Sequence, residues 1–209
     1  MKQINPFLTC LLVAGIMALL FLGACTKPYH FYVKYDRPES STPLIDQTVY
    51  LQIIDDRTNK LFLSENASKE FDRWDRSFAL YHTEKKPKGD VETHQMVGLI
   101  EAVMQQRLET AGIAVLKEKK DETPVLTLNL KKIELMLKGR TWVSDIRYEA
   151  KLTQDNLKVG KEQVSAQAER TKVMGRSAGE RLLGDILTDS INQLNLEKLF
   201  NNAGLTSTP

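Results

Sequence analysis

The sequence predicts an α+β domain in which a mostly antiparallel β-sheet carries two amphipathic helices on one face, after a signal peptide and an extended tether. Three patterns lead to this fold class. An apolar N-terminal run ends at a cysteine, later apolar residues recur at every second position, and others recur at three- and four-residue steps. The 209 residues suffice for one domain with appendages. We assign residues 1–24 to the signal peptide, 25–48 to an anchor and tether, 49–204 to a single α+β domain and 205–209 to a tail.

The charged residues are balanced in number and mixed along the chain. There are 29 Lys and Arg residues and 27 Asp and Glu residues, which give a net charge of +2. No basic stripe stands out that would neutralise several phosphates, so we do not expect nucleic acid as a partner. The hydrophobic fraction of 42% excludes a wholly disordered or collagen-like chain.

The first 25 residues have the pattern of a secretory signal peptide. Lys2 supplies a positive charge, residues 7–24 are apolar apart from Thr9, and small residues precede a cysteine. The run closes with Leu22, Gly23, Ala24 and Cys25. This ending resembles the lipobox of bacterial lipoproteins, in which a branched residue and two small residues precede the lipidated cysteine.

The resemblance implies that Cys25 carries the membrane anchor. A diacylglyceryl group would be attached to the thiol, the signal peptidase would recognise Leu22, Gly23 and Ala24 and cut after Ala24, and the new amino group would be acylated. One acyl chain contributes about 0.8 kcal/mol per buried methylene, and several chains together anchor a protein stably. The alternative is a plain transmembrane anchor, because about 18 apolar residues approach the length that spans a bilayer.

Cysteine usage and the residue after the anchor bear on the compartment. Cleavage would remove Cys10 and leave Cys25 as the single cysteine, so we expect no disulfide within the mature chain. The next residue is Thr26. In the enterobacterial sorting pattern that this segment resembles, Asp at that place retains a lipoprotein in the inner membrane. The resemblance therefore implies the outer membrane, with the domain facing the periplasm.

Residues 26–48 predict an extended tether, because Pro28, Pro38 and Pro43 interrupt them and no period is sustained. An aromatic cluster in this segment has two open interpretations. The rings could rest among lipid headgroups, or some of them could pack as a short edge strand. The cluster consists of Tyr29, Phe31, Tyr32 and Tyr35.

The domain is expected to begin with a strand and a long polar stretch. Alternating apolar residues predict a strand over 49–55, followed by a turn and a possible second strand at 61–63. Residues 64–89 are polar with embedded aromatics. A structureless loop of that length is unusual in a compact domain. The stretch is therefore either a flap whose aromatics pack on the core or a surface offered to a partner.

A helix and a short strand are expected next. Asp90 would cap the helix, and Gly112 would end it. Residues 113–116 resume as a strand. The apolar residues at three- and four-residue steps are Val97, Ile100, Met104 and Leu108.

Three long strand candidates follow, and a closing helix completes the domain. In the first strand the apolar alternation changes parity at Lys131 and Lys132, which predicts a β-bulge. The second covers residues 142–152, and the third covers 162–174, where small alanines would admit a helix. Ser177 and Glu180 have the spacing of a capping box. The apolar residues of the helix are Leu183, Ile186, Leu187, Ile191 and Leu194.

Residue types that carry catalysis are sparse. His30, His82 and His94 are the only histidines, and the sequence has no Gly-x-Ser-x-Gly elbow. It also lacks His-x-x-x-His, Cys-x-x-Cys and glycine-rich phosphate motifs. The acidic pair at residues 55–56 is too short to build an oxygen cage. We therefore expect neither an enzyme nor a metal or cofactor site.

Two groups of residues remain as candidate partner contacts. Asp56 and Arg57 follow a strand directly and could present a charge pair, although a turn in which Asp caps backbone amides explains them as well. The aromatics Phe71, Trp74 and Phe78 could form an interaction hot spot, with Trp74 foremost, or a satellite core under a long loop.

The order of these elements resembles the YajG-type family of bacterial lipoproteins. The similar segments after the lipobox are residues 53–57, 111–115, 126–130, the hairpin around Tyr148 and residues 187–191. The likeness extends from about residue 49 to residue 200 and is broken by the long charged stretch around Trp74. It implies an outer-membrane lipoprotein, with no catalytic residues to carry over.

These observations predict a non-enzymatic, lipid-anchored periplasmic lipoprotein that binds or scaffolds cell-envelope partners. The alternative is an auxiliary lipoprotein of a lipid, lipopolysaccharide or ABC-type transport system that binds an amphiphile in a groove. A cleft lined by Trp142, Tyr148 and Leu152 and left uncovered by helices would favour the amphiphile. A closed core with a ridge of aromatics from residues 64–89 would favour a protein partner.

Overall fold

The computed structural model describes residues 29–38, 44, 46–71, 74–87, 91–154, 159–173 and 176–205. Leu22, Gly23, Ala24, Cys25 and the predicted cap Asp90 lie outside these residues. The elements are β1 (Tyr29–Lys34), β2 (Thr48–Asp55), α1 (Glu65–Glu70), β3 (Trp74–Tyr81), α2 (Met96–Thr110), β4 (Ala114–Leu116), β5 (Val125–Lys138), β6 (Thr141–Thr153), β7 (Gly160–Thr171), α3 (Ser177–Gln193) and α4 (Leu196–Ala203).

The main sheet has five strands in the order β4-β2-β5-β6-β7, and β1 and β3 form a separate two-stranded parallel sheet. The long β5–β6 and β6–β7 ladders are antiparallel, whereas β2 pairs in parallel with β4 and β5 over shorter stretches. Helix α2 packs on β2, α3 packs on β6 and β7, and the two helices contact each other. The predicted α+β class with a mostly antiparallel sheet is confirmed.

The predicted β-bulge is present in β5. Leu130 pairs with Tyr148 and Lys132 pairs with Arg147, so that Lys131 is the extra residue. An extra residue resets the alternation. The apolar residues before and after Lys131 are therefore buried although their sequence parity differs.

Part of the expected tether is a strand. β1 pairs in parallel with β3, and Phe31, Val33 and the following Tyr35 have no exposed surface. The expectation of an extended tether is therefore wrong for residues 29–34. The strand interpretation of the aromatic cluster is correct, because burial removes large apolar rings from water.

Residues 64–89 contain regular structure rather than a loop. Helix α1 begins after Ser64, whose Oγ accepts a hydrogen bond from the backbone N–H of Ala67 at 3.3 Å. Strand β3 follows. The possible strand at 61–63 is reduced to one bridge between Leu63 and Leu135. The sequence pattern does not predict β3, because polar residues interrupt the apolar alternation of this strand.

Helix α2 begins at Met96 and ends before Gly112, whose φ of 83° lies in the left-handed region that glycine tolerates. At the C-terminus, one predicted helix is two. Helix α4 begins after Asn195, whose side-chain oxygen accepts a hydrogen bond from the backbone N–H of Lys198 at 2.9 Å. This cap restarts the backbone hydrogen bonding, which the apolar periodicity alone did not indicate.

The capping box predicted for α3 is wrong. Arg176 occupies the N-cap position, and no side-chain hydrogen bond caps the helix. The carboxylate of Glu180 is buried and accepts a hydrogen bond from the backbone N–H of Tyr32 at 3.0 Å and from Lys86 Nζ at 2.5 Å. Glu180 therefore fastens α3 to β1 instead of closing its own first turn.

The core is closed where a lipid groove was considered. Trp142 and Leu152 have no exposed surface, and Tyr148 is 3% exposed. The Tyr148 hydroxyl donates a hydrogen bond to the backbone carbonyl of Ser190 in α3 at 2.8 Å. At Gly179, an added Cβ would lie 3.2 Å from the Trp142 indole, so glycine allows α3 to approach the ring. These residues therefore form part of a closed core and not the uncovered cleft that would favour an amphiphile.

Candidate functional site

An open pocket of about 490 Å³ lies between the loop after β2, helix α1, strand β3 and the start of α2. We call it the aromatic pocket. The aromatic residues that line it are Phe62, Phe71, Trp74 and Phe78. The cationic residues that line it are Arg57, Lys60 and Arg76. The site therefore joins an apolar wall to a positively charged rim.

Phe31 of β1 lies behind the wall and connects its rings. The centroid of the Phe31 ring is 4.3 Å from that of Phe71, 5.1 Å from that of Trp74 and 5.7 Å from that of Phe78. Several pairs are edge-to-face, including Trp74 with Phe78 at 5.4 Å. Such pairs contribute about 0.5–1.5 kcal/mol each beyond the area that they bury. Mutual packing therefore fixes the wall.

A bulge in β3 shapes the rim. Tyr29 pairs with Trp74 but Phe31 pairs with Phe78, so β3 carries two extra residues between these pairs. Arg76 lies in this bulge with a φ of 66°, in the left-handed region that is uncommon for residues other than glycine. Bulges commonly re-aim a side chain beside a functional site. Here the bulge leaves Arg76 exposed at the mouth of the aromatic pocket.

Hydrogen bonds within the bulge hold its shape. Asp75 Oδ1 accepts from the backbone N–H of Ser77 at 3.0 Å and from the Ser77 hydroxyl. The Trp74 indole N–H donates to the backbone carbonyl of Ser77 at 3.0 Å. His30 Nδ1 lies 2.5 Å from Ser77 Oγ and 3.1 Å from Asp75 Oδ2. The bulge is thus fixed from both strands.

The contact of His30, Asp75 and Ser77 is not arranged as a hydrolase triad. In a triad, one ring nitrogen of the histidine contacts the nucleophile and the other contacts the carboxylate. Here the same nitrogen meets both partners, and the carboxylate accepts directly from the serine hydroxyl. Ser77 is also 5% exposed. We assign these side chains to the support of the bulge.

Arg57 is held at the inner side of the rim by Asp55. Its Nε and Nη2 donate to the two Asp55 carboxylate oxygens at 2.8 Å and 2.9 Å. These hydrogen bonds, with a contribution from Lys60, hold the pKa of the Asp55 carboxyl well below its usual range. Arg57 is 6% exposed, and its Nη1 is buried without a hydrogen-bond partner among the described residues.

The structure brings four of the five predicted partner contacts together at the pocket. Phe71 and Phe78 are buried wall residues, 3% and 1% exposed, and belong to the hydrophobic core, which agrees with the alternative that these aromatics pack as a core. Trp74 is partly exposed. Arg57 lines the pocket as well.

Asp56 stands apart from the pocket lining and pairs with Lys131. Arg57 pairs with Asp55 rather than with Asp56, and the Asp55 carboxylate also accepts a hydrogen bond from the Arg57 backbone N–H at 3.3 Å. Asp55 thus caps a backbone amide of the turn, as the turn interpretation of the segment requires.

Sequence reasoning missed the pocket residues Lys60 and Arg76. A signal for Arg76 was present, because Trp74, Phe78 and Leu80 share one parity and interrupted strand alternation surrounds the arginine. No comparable signal marks Lys60. Its role depends on how the turn after β2 folds against α1 and β3, which are distant in sequence.

Within the described ranges, no group of three or more His, Cys, Asp or Glu residues is placed to hold a metal ion. In that same part of the chain, none of the helices combines the length and hydropathy needed to cross a membrane.

Comparisons with known proteins concern the fold. No family model and no curated protein matches the chain. Protein XCC0632 from Xanthomonas campestris, of family DUF330, is 14% identical over 82% of this chain and 96% of its own, with a TM-score of 0.44. A structure described as an uncharacterized protein is 8% identical over 83% and 99%, with a TM-score of 0.39. A PelC dodecamer from Paraburkholderia phytofirmans is 9% identical over 76% and 95%, with a TM-score of 0.32.

Proposed function

We propose that this chain is a non-enzymatic lipoprotein of the YajG type that is anchored in the outer membrane and holds a cell-envelope partner in the aromatic pocket. Cys25 would carry the lipid after cleavage by a peptidase that recognises Leu22, Gly23 and Ala24. The domain would face the periplasm. The anchor rests on the lipobox pattern, and the family rests on the order of the similar segments.

One observation carries the binding role, namely the aromatic pocket itself. Its volume of about 490 Å³ lies within the range of small-molecule sites, which is about 300–1,000 Å³. Packed rings fix its wall. The bulge of β3 shapes its rim and includes Arg76, which has a left-handed backbone conformation. Such a backbone conformation costs on the order of 1–3 kcal/mol and is concentrated at functional sites. Its presence at the pocket mouth supports a role in binding.

A second candidate is the auxiliary lipoprotein of a lipid, lipopolysaccharide or ABC-type transport system. Trp142 is fully buried, so an amphiphile would have to bind elsewhere than at this part of the main sheet. The aromatic pocket offers what an amphiphile requires, because apolar and cationic groups line the same cavity. This observation supports the pocket between β3 and α1, rather than the main sheet, as the place where an amphiphile would bind.

Crosslinking in the cell tests the pocket as a partner site. A photoreactive amino acid would replace Leu61, a pocket residue that is 65% exposed. The control position is Val159, which is 48% exposed and does not line the pocket. We expect specific adducts, identified by mass spectrometry, from position 61 and not from position 159. Equal yields, or none from either position, would contradict the proposal.

A Cys25→Ser variant tests the anchor. Loss of the thiol removes the lipid attachment, so we expect an unprocessed precursor or a protein that leaves the membrane fraction. Mass spectrometry of the wild-type mature chain should show a diacylglyceryl modification at Cys25. Normal outer-membrane fractionation of Cys25→Ser would rule out lipid anchoring through this residue.

A further inference from the structure

We propose that the aromatic pocket binds an anionic single-chain amphiphile, with its hydrocarbon chain against the rings and its headgroup against Arg57, Lys60 and Arg76. This inference rests on the proposed binding function and names the ligand class. The headgroup chemistry is a carboxylate or phosphate, and the chain chemistry is a flexible acyl tail.

The charge of the lining favours an anion. Three cationic residues line the pocket, and no Asp or Glu of the described ranges does. Asp55 lies outside the lining and compensates part of this charge, because it pairs with Arg57 and Lys60. Arg76 makes no hydrogen bond or ion pair with any residue that the structure describes. The rim therefore keeps an excess positive charge beside an apolar wall.

Arg57 provides a second, independent indication. It lines the pocket and is more than nine-tenths buried, yet its Nη1 lacks a hydrogen-bond partner among the residues described. A buried donor without a partner is unfavourable, because it has given up its hydrogen bonds to water. The Nη1 atom has almost no accessible surface, so a ligand oxygen would reach it only after neighbouring rim side chains move. Asp55 already fixes the other side of the guanidinium, so the group is oriented before a ligand arrives.

The remaining lining favours an acyl chain over a peptide. A peptide segment brings backbone N–H and C=O groups that need partners when they are buried. Among the described lining residues, Ser68 and Gln95 are the uncharged side chains with hydrogen-bonding capacity, apart from the Trp74 indole, which already donates to Ser77. Met96 is flexible and adapts to an irregular apolar occupant. A hydrocarbon chain requires no such partners.

Quenching of Trp74 by a brominated amphiphile tests the proposal. The lipidated mature protein would be placed in nanodiscs of zwitterionic phosphatidylcholine and titrated with a dibrominated long-chain fatty acid. The matched neutral probe is the dibrominated alcohol of the same chain length. The Trp74→Phe variant removes the reporter and leaves Trp142. We expect quenching by the acid at concentrations about tenfold below those needed for the alcohol.

Variants locate the headgroup. We expect Arg76→Asn to weaken quenching by the acid about tenfold and to leave the response to the alcohol unchanged. The control Lys119→Gln removes one exposed cation outside the pocket lining and should change neither response. A brominated lysophosphatidic acid is titrated in the same way. Quenching at lower concentrations of this probe than of the fatty acid identifies a phosphate headgroup, and the reverse order identifies a carboxylate.

The outcomes separate this inference from the proposed function. Equal quenching by acid and alcohol, or no effect of Arg76→Asn, would overturn the anionic headgroup. Trp142 lies behind the wall residue Phe71, with the ring centroids 5.6 Å apart, so part of the quenching remains in Trp74→Phe. Quenching that is undiminished relative to the wild type would place the probe elsewhere and overturn the site. Protein adducts from position 61 without any quenching of Trp74 would overturn the amphiphile while the proposed binding function stands.

Discussion

Trp142 and Trp74 are the two tryptophans of the chain, and they lie in opposite environments. Trp142 of β6 has no exposed surface and packs below α3 at Gly179. Trp74 of β3 is partly exposed and lines the aromatic pocket. The first ring belongs to a regular antiparallel ladder, whereas the second begins a bulged strand. The main sheet is thus a sealed support, and the two-stranded sheet carries the open cavity.

The two sheets differ in the size of their backbone irregularity, because β5 carries one extra residue whereas β3 carries two. The residue pairs of β6 with β7 run without a shift from Thr141 to Leu152. The β1–β3 ladder shifts by two residues between the Tyr29–Trp74 pair and the Phe31–Phe78 pair. The shifted segment of β3 includes Arg76, whose φ lies in the left-handed region. Strain persists only where the surroundings hold it. The wall rings and the Asp75 hydrogen bonds provide that support at the pocket.

The largest expected effect comes from Phe31→Ala, which would break the support of the pocket. Phe31 is fully buried and contacts the wall rings, so its truncation should lower the free energy of unfolding by about 3–5 kcal/mol. Urea unfolding followed by circular dichroism measures the change. The control Leu61→Ala truncates an exposed pocket residue and should cost less than about 0.5 kcal/mol. Similar losses for both variants would refute a wall held by Phe31.

Asp55→Asn should have an intermediate effect that depends on pH. The folded-state pKa of Asp55 lies below the unfolded value of about 3.9, chiefly because of the hydrogen bonds from Arg57. The stabilisation is therefore fully present above the unfolded pKa and is lost as pH falls towards the folded pKa. We expect Asp55→Asn to lower stability by about 1–3 kcal/mol at neutral pH.

The dependence of stability on pH in the acid range tests the same contact between Asp55 and Arg57. Urea midpoints of the wild type and of Asp55→Asn should converge as the pH falls from about 5 to about 2. The control Asp121→Asn changes an exposed carboxylate and should leave the profile close to that of the wild type. A constant gap between wild type and Asp55→Asn across this range would exclude the titration of Asp55 as the cause.

The smallest expected effect is a gain in stability for Arg76→Asn. Asn tolerates the left-handed region better than other non-glycine residues, so relief of backbone strain should stabilise the fold by about 0.5–1 kcal/mol. Arg76→Ala is the matched control, because it removes the guanidinium and keeps the unfavourable φ. Both variants should weaken binding of the anionic probe, but only Arg76→Asn should unfold at a higher urea concentration than the wild type. A loss of stability in Arg76→Asn would mean that the bulge is not strained.

The regular half of the fold is the half that the sequence predicts well. The parity change at Lys131 and Lys132 gives the bulge in β5, because one extra residue shifts a long and otherwise clear alternation. Helix α2 and its end at Gly112 follow from apolar spacing and a left-handed position. These features depend on neighbours in sequence, which a single chain displays.

The pocket half depends on contacts between distant segments, and sequence patterns missed most of it. The pairing of Phe31 with Phe78 joins residues far apart in the chain. The polar residues in the bulge interrupt the apolar alternation, so the sequence pattern does not indicate β3. Glu180 has the spacing of a helix cap but bonds to the Tyr32 backbone. The aromatic candidates Phe71, Trp74 and Phe78 were identified as a group, but their arrangement as a wall was not.

The parallel pairing of β1 with β3 has a mechanical consequence. The proposed anchor at Cys25 precedes Tyr29, so tension from the membrane would enter the domain along β1. A pull along a strand loads its lateral hydrogen bonds together in shear rather than one after another. The load would reach Phe31, and with it the rear of the cavity, before it reached the five-stranded sheet. Traction on the tether would thus deform the binding cavity first.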